Sequence, residues 1–224
     1  MNISTMKPAI WLATGLLAAC SSGPRAPDWQ FEAKGSMDRS VAAYMEGNSR
    51  VETAELERAR GQLTRSGRAD LLATAELLHC ATRTASLVLD EPCTGFEKLR
   101  PDATEAQRAY ADYLKGQALP PQAIALLPET QRAAAAGNAG ALAGINDPLS
   151  KLVAAGVLLQ TGKADPAVIR QAIDTASAQG WRRPLLAWLG AALRLAEQGG
   201  NTAEADRLRR RIELTQNMPA TVKP

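Results

Sequence analysis

Four helix-start signals in the last third of this 224-residue chain are evenly spaced: Asp147-Pro148, Asp165-Pro166, Arg183-Pro184 and Asn201-Thr202, each 18 residues after the one before. An Asp or Asn side chain ahead of the first turn accepts an amide that a helix leaves unbonded, and proline inside that turn lacks one. Gly162, Gly180 and Gly199 supply the stops, since glycine takes the left-handed conformation that ends a helix. Helices of about 14 residues joined by turns of about four pack antiparallel to their neighbours. Their inner stripes keep helical spacing: Ile169, Ala172, Ile173 and Ala176; then Leu185, Trp188, Leu189, Ala192, Leu193 and Ala196; then Ala205, Leu208 and Ile212.

The chain upstream divides in the same manner. Asp28 to Glu46 reads as a helix with Trp29, Ala33, Met37, Val41, Ala42, Tyr44 and Met45 on one face, stopped at Gly47-Asn48. Val51 to Ser66 follows, with Val51, Ala54, Leu56, Ala59 and Leu63 set among many charges, and ends at Gly67. Ala69 to Leu89 is more apolar and is expected to be the buried helix of the N-terminal half. Pro92 and Gly95 break the chain around Cys93. Asp102-Ala103-Thr104-Glu105 predicts a capping box, with Asp102 as cap and Glu105 reaching back, for a helix through Tyr110 and Leu114 to Gly116. Between Leu119 and Ile145, Pro120, Pro121, Pro128, Gly137, Gly140 and Gly144 leave room for two short helices and a loop.

Aromatic residues are 4% of the chain, alanine and leucine are abundant, and consecutive β-branched residues are few, which is an all-α composition. Two helices per 36 residues is close to the period of helical-repeat proteins. Leu189-Gly190 with Leu193, then Gly199-Gly200-Asn201, Glu204-Ala205 and Ile212, resembles the ordered positions of a tetratricopeptide repeat. Ala205 lies 15 residues after Gly190, farther than that repeat's own spacing, and no proline closes the unit. The resemblance implies antiparallel hairpins stacked as a tetratricopeptide-like α-solenoid, whose concave surface grips proteins or peptides. A single helical-repeat domain is expected over 28–217, with possible halves 28–117 and 147–217, followed by a tail at 218–224.

The N-terminus has the parts of a secretory signal: Lys7 is its only charge, and after Pro8 the run from Ala9 to Ala18 is short and largely apolar. A stable membrane-spanning helix needs about 20 such residues. The run ends in Leu17-Ala18-Ala19-Cys20, which resembles the lipobox of bacterial lipoproteins. An ordinary signal peptide ending near Ala19, or a buried N-terminal helix, are the other readings. The resemblance implies removal of residues 1–19, diacylglycerol on the Cys20 sulfur, and usually an acyl chain such as palmitate on its amino group. Ser21, rather than Asp, implies transfer to the outer membrane, facing the periplasm. Residues 20–27 then form a lipidated tether, with Ser-Ser-Gly-Pro-Arg-Ala-Pro holding no large apolar side chain.

With residues 1–19 removed, 25 basic side chains face 23 acidic ones, since Lys7 alone is lost from the 26. A dedicated nucleic-acid or anionic-membrane binder would show a clear basic excess.

Cys80 and Cys93 are the only other thiols, and an exported compartment is oxidising. Cys80 lies about nine residues, or about 13 Å, before the expected end of its helix, and the extended residues from Leu89 to Cys93 can retrace that length. A Cys80–Cys93 disulfide is therefore expected, against two separate or buried thiols. His79, the single histidine, has no Cys/His ligand set around it and reads as a partly buried helix residue rather than a catalytic base or zinc ligand. Arg207, Arg209, Arg210 and Arg211 alternate with Glu204, Asp206 and Glu213, the pattern of a solvated face with local ion pairs, anion binding being the other reading. Trp188 is expected in the core. Trp181, at a turn beside Arg182 and Arg183, is the expected partner-binding anchor. Trp29 and Phe31 are expected to cap the first helices. Glu55 and Glu57, two apart, do not share a helix face and do not suggest acid–base catalysis.

These readings predict a non-enzymatic scaffold that is held to the outer membrane and binds envelope proteins, with no cofactor, no metal and no nucleic acid. The alternatives are an envelope enzyme acting on peptidoglycan and a carrier of an apolar ligand.

Overall fold

The computed structural model describes residues 27–217. The lipobox with Cys20, the expected signal segment at 1–19, most of the tether and the tail at 218–224 lie outside the described residues. Within them the chain is all-helical, with no strand. The α-helices are α1 (Asp28–Glu46), α2 (Ser49–Arg65), α3 (Ala69–Ala85), α4 (Thr94–Glu97), α5 (Glu105–Leu114), α6 (Pro121–Leu126), α7 (Glu129–Ala135), α8 (Pro148–Gln160), α9 (Pro166–Ala178), α10 (Arg182–Gln198) and α11 (Thr202–Gln216). Tight 3-10 turns occupy Arg100–Asp102 and Ala139–Gly144, the second standing where a loop is expected.

The start signals hold where a side chain can cap. Asp147, Asp165 and Asn201 each accept the amide three residues on, from Ser150, Val168 and Glu204. The third start is displaced. α10 begins at Arg182 behind Trp181, which makes no side-chain cap, because Pro184 fits anywhere in a first turn whose amides need no helical partner. The starts at 148, 166, 182 and 202 are thus 18, 16 and 20 residues apart rather than a uniform 18. The last stop also moves by one: Gly200, at φ 69°, takes the left-handed turn in place of Gly199.

Two other expectations shift. The capping box at α5 uses Thr104 and Gln107, each accepting the other's backbone amide, while Asp102 closes the preceding 3-10 turn. α3 ends at Ala85, four residues before Leu89, because Leu87 adopts φ 58°. The Leu87 amide bonds the Thr84 carbonyl and the Val88 amide that of Arg83, the paired closure of a left-handed helix stop.

Packing centres on α3 and α8, which touch each other and between them reach α1, α2, α4, α5, α7 and α9. Every residue of α8 from Leu152 to Leu158 is buried, so this helix is apolar all round. Gly156 lets the two backbones meet: a Cβ there would stand 2.4 Å from the Thr84 carbonyl oxygen. α8, α9, α10 and α11 pack in sequence, and α10 also reaches back to α1. One apolar cluster runs from Tyr44 through Phe96, Leu127 and Leu152 to Trp188 and Leu208, and a smaller one joins Ala33, Met37, Leu56, Ala59, Leu63 and Ala75. The main cluster passes through α5 and α7, where Tyr113 donates to Gln131 (2.8 Å) and Gln131 donates to the Ser150 carbonyl (3.0 Å).

Candidate functional site

Along α3, Glu76, His79, Cys80, Arg83 and Thr84 recur at helical spacing and share one face. After the stop at Leu87 the chain turns back over that face and is pinned there by the Cys80–Cys93 disulfide, whose Cα atoms lie 5.8 Å apart. The return path is the one expected, but the helix contributes less of it, since Cys80 is only five residues from the end of α3. Between this face, residues 88–95, the end of α5, Arg60 of α2 and Gln160 of α8 lies a cleft of about 330 Å³.

Most of its charges are arranged in pairs. Arg60 grips Glu76 with two hydrogen bonds, Nε to Oε1 at 2.6 Å and Nη2 to Oε2 at 2.7 Å, and its third contact is Glu57 at 2.6 Å. Glu76 is only 4% exposed, and room for its carboxylate comes from Gly95, where a Cβ would stand 2.0 Å from Oε2. The bidentate bond to Glu76 raises the Arg60 pKa despite partial burial. On the other side of the α3 face, buried Glu52 accepts from Arg83 Nη2 at 2.9 Å and lies 3.2 Å from His79 Nε2. The Arg83 guanidinium also stands 4.0 Å from the Tyr44 ring centroid. Arg83 Nη1 and Gln160 Oε1 are buried without a partner among the described residues.

His79 is half-buried as expected, and its pKa is lowered. Burial depresses its pKa, and the Arg83 charge adds to that, while the Glu52 and Glu76 charges oppose them. A histidine whose folded pKa lies below its unfolded value near 6.5 binds fewer protons folded than unfolded. Its contribution is complete above about pH 6.5 and is lost as the pH falls toward the depressed value. The urea midpoint is expected to decline over that interval and to decline less in His79→Gln; identical slopes would show that His79 does not carry the effect.

The other singled-out residues fall as follows. Trp181 is not an exposed anchor but packs half-buried against the main core. Arg182 donates to the Gln216 carbonyl at 3.1 Å, and Arg183 donates to Ser49 Oγ at 2.8 Å and lies 4.2 Å from the Tyr44 ring centroid. Arg182 thus ties the start of α10 to α11, and Arg183 ties it to α2 and α1. Trp188 is fully buried, and its indole donates to the Ala85 carbonyl at 3.0 Å. Arg207 pairs with Glu204, and Arg209 with Asp206 and Glu197, as a solvated face would. Trp29 covers the smaller core as expected, but Phe31 is 59% exposed and caps nothing. Glu55 and Glu57 serve separate arginine pairs.

The residues that sequence reasoning passed over are Glu52, Arg60, Glu76 and Arg83. A signal existed for Glu76, a carboxylate flanked by Ala75 and Leu77 in the most apolar helix of the N-terminal half, which calls for a cationic partner. Nothing local identified Arg60 as that partner, 16 residues away.

A second concavity of about 670 Å³ opens between α9, α10 and α11, with Ile169, Ile173, Leu208 and the 43% exposed Leu195 on its walls. Among the described residues no helix is long and apolar enough to cross a membrane, and no group of three or more His, Cys, Asp or Glu is placed to hold a metal. No protein-family model, curated protein or solved structure matches this chain.

Proposed function

We propose that this chain is an outer-membrane lipoprotein whose periplasmic helical body binds other envelope proteins and does no chemistry of its own. The observation that carries the reading is the pairing of a lipobox-like Leu17-Ala18-Ala19-Cys20 with a body whose two other cysteines are joined to each other. A structural disulfide belongs to an oxidising compartment, and export is what the N-terminal segment encodes. Several acyl chains on Cys20 exceed the two signals that stable anchoring needs.

Within the body, α8 to α11 form in this reading a short tetratricopeptide-like solenoid of two hairpins. Their sequential packing supports it, as do the buried Leu189 of α10 and Ala205 of α11, although Ala205 lies farther along the chain than the repeat's own spacing puts it. Solenoid units touch only their neighbours, and here α1 seals one side by packing on α10. The groove between α9, α10 and α11 is the concave surface left for a partner. An apolar-ligand carrier has less support, because the cleft beside the disulfide is lined by Arg60, Glu76, Arg83 and Lys115. An enzyme also has less support, since Arg60 and Arg83 of that cleft are engaged by Glu76 and Glu52.

Cys20→Ala is expected to release the protein from the membrane fraction into the soluble periplasm and to abolish palmitate incorporation. An undiminished membrane-bound fraction would overturn the anchor. With a photoreactive residue in place of Leu195, the lipidated protein in intact envelopes is expected to give discrete crosslinked adducts, and recovery of none would overturn the scaffold half of the reading.

A further inference from the structure

Building on the lipid-anchor reading, we propose that one end of the α1–α2–α3 unit rests on the phospholipid surface, with Phe31 seated at headgroup level. Pro27, which precedes α1, is seven residues after Cys20, and such a segment spans at most about 25 Å. The start of α1 is therefore held close to the bilayer. The end of α2 lies beside it, because Gln62 donates to Glu32 at 2.5 Å and Trp29 packs in the same apolar cluster as Leu63. The turn at Ser66–Arg68 and the start of α3, with half-buried Leu71 and Leu72, complete this end of the molecule.

Phe31 is 59% exposed here although it lies in a helix whose other large apolar residues are covered or half-covered. Aromatic rings favour the membrane–water interface, where an apolar face and a hydrated edge are both accommodated. The formal charges of this end nearly balance, Lys34, Arg65 and Arg68 against Asp28, Glu32, Asp38 and Asp70; Lys34 is held by Asp38 at 2.6 Å, and Arg68 by Asp70 through two hydrogen bonds at 2.8 and 2.7 Å. The contact therefore owes little to anionic lipid. A single ring suffices because the anchor keeps it at high local concentration beside the surface.

The opposite end is marked by Ser49 and Gln216, which bond the adjacent Arg183 and Arg182. Leu214, 69% exposed, is two residues before Gln216, at the end of the bundle that lies beyond Phe31 by the rest of α1, about 22 Å. In this orientation the disulfide cleft, built on the C-terminal half of α3, faces away from the membrane.

The test uses mature lipidated protein reconstituted in phosphatidylethanolamine and phosphatidylglycerol vesicles carrying nitroxide-labelled headgroups. An environment-sensitive fluorophore is attached, without reductant, at Lys34→Cys, one turn beyond Phe31, or at Leu214→Cys. Quenching is expected to be several-fold stronger at position 34, to persist in high salt, and to fall when Phe31→Ser is added. Equal quenching at both positions, stronger quenching at 214, or no effect of Phe31→Ser overturns this proposal alone. The mass of the same preparations reports acylation of Cys20; its absence overturns the anchor reading, and this proposal with it.

Discussion

Replacing Trp188 by alanine is expected to cost about 3–5 kcal/mol, the largest loss from any single substitution considered for this body. The side chain is fully buried in the main apolar cluster, so truncation leaves a cavity that the rigid helices around it fill only in part. The indole also donates to the carbonyl of Ala85, the last residue of α3, across 103 positions of sequence. Trp188→Phe separates the two contributions: it retains most of the apolar volume but orphans a buried acceptor, at a cost of about 1–3 kcal/mol. Because this bond ties α10 to α3, the alanine variant is also expected to broaden the urea transition as the C-terminal helices loosen before the rest. The check is urea unfolding followed by circular dichroism. A midpoint within error of the parent would show that the joint between α3 and α10 is held by other contacts.

The second large loss is expected from Cys80→Ser together with Cys93→Ser, which should lower stability by about 3 kcal/mol through the freedom returned to the unfolded chain. The bond also has a local task. Residues 88–95 make no regular structure until α4, and they lie over a face of α3 that includes the buried carboxylate of Glu76. Without the clip, the close approach of Gly95 to Glu76 rests on fully buried Phe96 and on the ion pairs of Glu91 with Arg83 and of Glu97 with Lys115. Amide exchange in 88–95 is therefore expected to accelerate more than elsewhere in the double variant. Reduction of the parent protein should reproduce both effects. Equal stability of the oxidised and reduced forms would mean that the segment is held by its packing alone.

The two losses bear on different levels of legibility. Trp188 was placed in the core by the spacing of Leu185, Leu189, Ala192 and Leu193 around it, a local periodicity that tertiary packing had no reason to override. Its partner was not readable, because a backbone carbonyl at the end of a helix advertises nothing in sequence. The disulfide was inferred from compartment and reach. The two cysteines are bonded although α3 is shorter than its apolar pattern suggests: the left-handed Leu87 turns the chain earlier and keeps the two cysteines within bonding distance.

Trp181, Arg182 and Arg183 show the opposite case. A proline at position 184 marked a helix start to within two residues, but those two residues decided whether three large side chains faced solvent or the neighbouring helices. Helix boundaries are the least determined feature of a sequence pattern, because terminal turns gain or lose few bonds of their own. Here the contacts to Ser49, Gln216 and Tyr44 fixed the boundary, and all three contacts are remote in sequence.

By itself the sequence determined the helical class, most of the helix starts and stops, the core position of Trp188 and the expectation of a bonded cysteine pair. Each of these follows from interactions within about a dozen residues: a capping side chain, a left-handed glycine, an apolar stripe, a short covalent loop. The tertiary structure alone decided that α3 and α8 meet at the centre, that α10 closes back on α1, and that Arg60 pairs with Glu76 and Arg83 with Glu52. Those outcomes depend on which apolar faces find each other and on the need to neutralise each buried carboxylate. Such requirements name the kind of partner a residue must have, and only the fold selects which residue supplies it.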